Sequence, residues 1–160
     1  MVELLFFAYR DFVGEPDVVL DELGFGRAHH RVLHFVNRNP GLRVADLLQR
    51  LKITKQSLAR VLKQLVDQGY VLQTTGPIDR RERRLQLTEK GSQLADRLLA
   101  LQTHRLAKAL ASAGPDAVHT AAAFLAGVIE ASDRDTAQEL VARATGRKRE
   151  TTRKRSREHP

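Results

Sequence analysis

Residues 53 to 91 leave the chain few ways to fold. Leu58, Val61, Leu62 and Leu65 recur at i, i+3, i+4 and i+7, which is one buried stripe of a helix. Thr54 stands where an N-cap hydroxyl can accept an orphan backbone N–H. Gly69 stands where the helix needs a left-handed stop. Tyr70-Val71-Leu72 and Leu85-Gln86-Leu87 then read as two short strands, joined by Gly76-Pro77 and a charged loop. Helix, strand, basic loop, strand: so little chain can only make a hairpin packed against a helix.

Around this unit the periodicity is helical. Val2, Leu5, Phe6, Tyr9, Phe12 and Val13 share a face, so residues 2 to 13 read as an amphipathic helix. Gly14 and Pro16 are expected to interrupt it, with a second short helical stretch from Asp17 to Leu23 that Gly24 and Gly26 close. A helix over 27 to 38 turns Val32, Leu33, Phe35 and Val36 inward and stops at Asn37-Arg38-Asn39-Pro40-Gly41. Val44, Leu47, Leu48 and Leu51 mark a short helix. After Thr88, the stripe Leu94, Leu98, Leu101, Leu106 and Leu110 runs to a break at Gly114-Pro115. The alanine-rich segment Asp116 to Ala144 is helical by propensity.

The expected fold is therefore mainly α with a small two- to three-stranded β wing. Four regions follow: an N-terminal helical region (1–26), a helix-turn-helix with wing (27–91), C-terminal helices (92–145) and a basic tail (146–160) that lacks apolar periodicity and reads as disordered.

Charge picks out two places. The 160 residues carry a formal net charge of +8. Residues 52 to 90 hold nine Lys/Arg against four Asp/Glu, and residues 147 to 160 hold seven against two. The remaining residues are net acidic, so the basicity is concentrated, as a polyanion partner requires. The chain has no cysteine, which excludes disulfides, thiol chemistry and cysteine metal sites. Met1 to Arg10 lacks a basic leader and is broken by charge, so neither a signal peptide nor a membrane span is expected. The expected location is the cytoplasm.

If the leucine stripe of the 54–68 helix faces the core, Lys55, Gln56, Ser57, Arg60 and Lys63 lie on its other side with Thr54 at its start. Arg can fork onto guanine, Gln onto adenine, and Ser or Thr can meet either base or a phosphate. A merely solvated face is the plain alternative for that helix taken alone. The wing shifts the balance, because Asp79-Arg80-Arg81-Glu82-Arg83-Arg84 packs four arginines into six positions. Their repulsion needs compensation, which a narrow minor groove can supply; a solvated hairpin neutralised by Asp79 and Glu82 is the plain alternative. Asp79 is placed to hold Arg81 through a forked ion pair.

These residues resemble the winged helix-turn-helix of the MarR (multiple antibiotic resistance regulator) family over residues 21 to 91. Asp79-Arg80-Arg81, three residues, then Leu85-Gln86-Leu87-Thr88-Glu89-Lys90-Gly91 is similar to the family's wing signature, with Leu85 in place of the usual valine. Asn39-Pro40-Gly41-Leu42 and Leu65 to Val71 resemble its turn and the exit of its recognition helix. The resemblance implies a dimeric transcription regulator, usually a repressor, whose flanking helices form the dimer interface. It implies that Arg81 enters the minor groove while Asp79 orients it. It also implies release of DNA when a small phenolic or anionic ligand binds between dimer helices and reading head; Tyr9, Arg10, His30 and His34 are the pocket candidates. The expected partners are a pseudo-palindromic DNA duplex, a second copy of the chain and such an effector.

Dimerisation has an argument of its own. The Leu94, Leu98, Leu101 stripe and the face of Val2, Leu5, Phe6 and Tyr9 exceed what a small winged-helix core would cover.

Other chemistry is sparse. His30 and His34 form an i, i+4 pair beside His29, but no third ligand accompanies them, so no metal is expected. No Gly-rich phosphate loop, nucleophile elbow or assembled pair of acids occurs, so neither an enzyme nor a cofactor is expected. A winged-helix module that binds protein, or DNA without sequence preference, is the competing function.

Overall fold

The computed structural model describes residues 1–142; the basic tail and Ala144 lie outside the described residues. The chain divides into two compact units, Met1–Lys108 and the residues from Ala109 onward.

The first unit begins with α1 (Val2–Asp21), followed by α2 (Arg27–Arg38), β1 (Leu42–Arg43), α3 (Val44–Leu51), α4 (Lys55–Asp67), β2 (Val71–Thr75) and β3 (Arg83–Leu87). Most of α5 (Glu89–Ser112) completes it. The strands form one antiparallel sheet in the order β1-β3-β2, with Leu42 opposite Leu85 and Val71 opposite Leu87. Both hairpin strands are longer than the apolar runs that announce them. β2 carries on through Gln73, Thr74 and Thr75, and β3 begins at Arg83, because the ladder pairs Thr75 with Arg83 and Thr74 with Arg84. Backbone pairing, not side-chain hydrophobicity, extends them.

One core joins these elements. Leu33 and Val36 of α2, Leu47 and Leu51 of α3, Leu58 and Leu65 of α4, and Leu85 of β3 are buried together. The α4 stripe faces inward as its spacing demands, with all four of its members buried. Gly69 closes α4 at φ 73°, and the Tyr70 N–H donates back to the Leu65 carbonyl at 2.8 Å.

The start of α5 explains the residues after β3. The Thr88 hydroxyl donates to the Gly69 carbonyl at 2.7 Å and accepts the Gly91 N–H at 3.0 Å, so it caps α5 while tying it to the end of α4. A Cβ at Gly91 would stand 2.0 Å from the Tyr70 carbonyl oxygen. Only a glycine allows that approach.

Two helical expectations are corrected. Gly14 and Pro16 do not break the first helix, since α1 is continuous from Val2 to Asp21 with Pro16 inside it. The ring of Pro16 is fully buried, and Val13, Val19 and Leu20 are buried with it. Packing of this face outweighs the backbone hydrogen bond that proline forfeits. The second correction concerns α5. Leu94 and Leu98 are buried in the unit's own core and Leu101 packs against it, so they are not surplus surface.

In the second unit α6 (Ala117–Val128) follows Gly114-Pro115, and a further helical stretch covers 131–142. The alanine-rich segment is therefore not one helix. Ile129 is extended (φ −71°, ψ 134°), and the Arg134 guanidinium donates to the carbonyls of Ile129 (3.0 Å) and Gly127 (3.3 Å). Those bonds satisfy carbonyls that the helix end leaves open. No residue of α6 is buried. No helix among the described residues is long and apolar enough to cross a membrane.

Candidate nucleic-acid interface

α3 and α4 meet through a tight turn. Lys52 takes the left-handed conformation (φ 51°) that ends α3, and Thr54 starts α4 by accepting the Ser57 N–H at 3.1 Å. The Thr54 hydroxyl also donates to the Ser57 hydroxyl at 2.9 Å. Lys55, Gln56, Ser57, Arg60 and Lys63 are all exposed, on the side of α4 away from its buried leucines. They are not equivalent. Lys63 is paired with Asp67 one turn on. Lys55, Gln56 and Arg60 present side chains engaged by nothing among the described residues.

The wing has its own hierarchy. The Gly76 N–H donates to the Glu82 carbonyl at 2.9 Å, and a Cβ at Gly76 would sit 2.8 Å from the Asp79 carbonyl oxygen. The tip is thus closed tightly around residues 77–81. Asp79 does not form the forked ion pair expected with Arg81. Its Oδ1 instead accepts the Arg81 backbone N–H at 2.8 Å, an Asx-type turn that fixes the chain rather than the guanidinium. Arg80 and Arg81 are exposed at the tip. The other two wing arginines are engaged: the Arg83 guanidinium, itself exposed, donates to the Arg80 carbonyl at 3.0 Å, and Arg84 is half-buried against Glu82. The four arginines, equal in sequence, separate into two free and two committed.

Arg43 went unnoticed in sequence. On β1 beside the wing it grips Asp46 through two bonds of 2.8 Å and lies 4.0 Å from Glu82. Only the antiparallel pairing of β1 with β3 brings it there, and a two-residue strand leaves no periodic signal.

On the side of α2 that faces α1, an open cavity of about 340 Å³ is lined by Tyr9, Phe12, Arg27, His30, Arg31 and His34, among others. Three of the four pocket candidates meet there. Arg10 does not: it pairs with Asp11 at 2.8 Å and lies over the Phe7 ring. Burial, helped by Arg38 and His30, pushes the His34 imidazole down to about 4, and burial also lowers His30 despite Asp17 nearby. Both are neutral near pH 7. No three metal-ligating side chains gather among the described residues.

Comparison with known proteins bears on this arrangement. The family model described as "MarR family" matches residues 23–82. The chain is 51% identical over 117 residues to the HTH-type transcriptional regulator PetP of Rhodobacter capsulatus, covering 73% of this chain and 70% of that one. The chain belongs to the MarR family. It is a transcriptional regulator, of a family that is not enzymatic. Its fold is similar to that of Streptococcus pneumoniae FabT in complex with DNA, with a TM-score of 0.70 at 16% identity, over 79% of this chain and 90% of that one. It is also similar to a mutant MarR from E. coli complexed with operator DNA, with a TM-score of 0.63 at 22% identity, over 80% and 92% of the two chains. Within this MarR-family chain, the wing signature has a structural reading: Asp79 sets the turn, Thr88 caps α5, and Gly91 lets α5 approach Tyr70.

Proposed function

We propose that this regulator is a cytoplasmic homodimer that reads a pseudo-palindromic DNA duplex, represses transcription, and releases the duplex when a small anionic or phenolic effector binds. The observation that carries DNA reading is the pairing of two free cationic surfaces: the α4 side bearing Lys55, Gln56, Ser57 and Arg60, and the wing tip bearing Arg80 and Arg81. A helix of that chemistry suits the major groove, and two bare arginines on a closed turn suit the minor groove beside it. FabT and the mutant MarR were crystallised with DNA, which supports the same use of this fold.

A dimer is supported by apolar surface that the chain leaves open. In α1, Val2, Leu4, Leu5, Phe6, Phe7 and Tyr9 are all exposed; in α6, so are Val118, Phe124, Leu125 and Val128. Such faces favour a partner, and a second copy supplies the two-fold symmetry that would set two recognition helices about 34 Å apart. The effector reading is supported by the cavity beside Tyr9, where Arg27, paired with Asp17, and Arg31, donating to the Leu51 carbonyl, have further guanidinium N–H groups for an anion and His30 and His34 add neutral imidazoles.

Binding to a duplex selected by the wild-type chain from a random pool tests this reading. Arg81→Ala should weaken binding by about 1–3 kcal/mol, and Arg84→Ala far less, because Arg84 is committed to Glu82. Equal losses from both would point to generic polycation binding.

A further inference from the structure

The corner between α1 and α2 is hydrogen-bonded into the proposed recognition helix. His29, in the first turn of α2, accepts the Gly26 N–H at Nδ1, 3.1 Å away. Its Nε2 is 3.0 Å from Gln64 Oε1, and Gln64 Nε2 donates to the Gly24 carbonyl at 3.0 Å. A backbone N–H can meet only a lone pair, so Nδ1 is bare and Nε2 carries the proton. The Gln64 amide then has one orientation that satisfies both ends. The imidazole lies flat on Phe25 (centroids 4.7 Å apart, planes 12° apart), and Phe25 meets Tyr70 edge-on at 5.1 Å. Two hydrogen bonds thus hold α4 against the corner, on the flank of α4 next to its exposed cations.

We propose that His29 and Gln64 are positioning residues for the recognition helix, and that the Gly26 N–H to Nδ1 bond that sets the ring in place holds only while the His29 imidazole is neutral, so that acid weakens duplex binding. A proton on Nδ1 would turn the acceptor of the Gly26 N–H into a donor aimed at another donor. The groups facing the ring are Phe25 and Gly26 from the corner and Gln64 from α4, none of them charged. Ionisable side chains on the surrounding elements are Asp21 on α1, Arg27, His30 and Arg31 on α2, Arg60, Lys63 and Asp67 on α4, and Lys90, which lies over Tyr70. Burial pushes the His29 imidazole down, against the smaller lift from its bond to Gln64. The Gly26–His29 bond is therefore intact at neutral pH and opens on the acid side of the ordinary histidine range. His30, the next residue, lines the cavity, so the turn of α2 that meets an effector is also the turn that holds α4.

The effect on DNA rests on the DNA-reading function proposed above, and the two ideas fail separately. In the free chain, NMR between about pH 8 and about pH 5 should show the Gly26 amide and the Gln64 side-chain amide moving with the His29 titration. For the selected duplex, His29→Phe keeps the stacked ring and should bind about five- to tenfold more weakly at neutral pH, the loss expected of the one hydrogen bond that the ring makes to α4. It should also lack the part of the acid-induced loss that wild type shows. Gln64→Glu sets a carboxylate against Nε2 and should raise the His29 titration midpoint by about one unit. Parallel pH profiles in wild type and His29→Phe, or an unmoved midpoint in Gln64→Glu, overturn the proposal. If His29→Phe does not fold, the Gln64→Glu midpoint decides. If wild type selects no duplex, DNA reading fails, while the Gly26 and Gln64 amides still decide whether the lock exists.

Discussion

At the scale of single residues, chemistry that looks alike in sequence is sorted by what each group touches. Arg81 and Arg84 differ because Asp79 fixes the turn that presents one, while Glu82 draws the other in. Gly91 is set by sterics alone. Gly91→Ala would drive a Cβ into the Tyr70 carbonyl, a backbone atom that cannot swing aside, and should lower stability by about 1–3 kcal/mol or more, read as a lower urea midpoint. His34 carries a pH signature. Its folded pKa of about 4 lies below the ordinary histidine value, so the unfolded chain takes the proton first. Its contribution is fully present above about pH 6.5 and is lost as pH falls toward 4, by roughly 2–3 kcal/mol in all. Urea midpoints measured across that window should slope less in His34→Gln than in wild type.

At the scale of elements, the contest is between local propensity and packing. Pro16 reads as a helix end because proline lacks an N–H, yet α1 continues since its Val13, Pro16 and Leu20 face is buried. The α4 stripe, the Thr54 cap and the Gly69 stop were legible because each is a local requirement met at its own position. Strand lengths, the β1 pairing and the division of the wing arginines were not, since each depends on residues distant in sequence. The candidate surface on α4 followed from the stripe alone. The Gln64–His29 contact did not, spanning 35 positions between two unremarkable polar side chains. The exposed apolar face of α1 gives the element-scale prediction. Leu5→Ser combined with Phe6→Ser should leave the core intact, because both side chains are exposed, but should shift sedimentation from dimer toward monomer. An unchanged dimer would place the interface elsewhere.

At the scale of the whole molecule, a net charge of +8 guarantees some affinity for any duplex at low salt, so affinity alone says little. What distinguishes a reading head from a polycation is discrimination. Phosphate contacts position a chain on DNA, and only base contacts, which we propose come from Gln56, Ser57 and Arg60, together with groove shape at the wing, separate one sequence from another. The direct measurement is therefore competition at physiological salt between the duplex selected by wild type and random DNA of equal length. A dimer that presents two copies of the α4 face predicts a preference of at least about 10³ for the selected duplex, reduced by Arg60→Ala. A ratio near one, unmoved by that substitution, would contradict it.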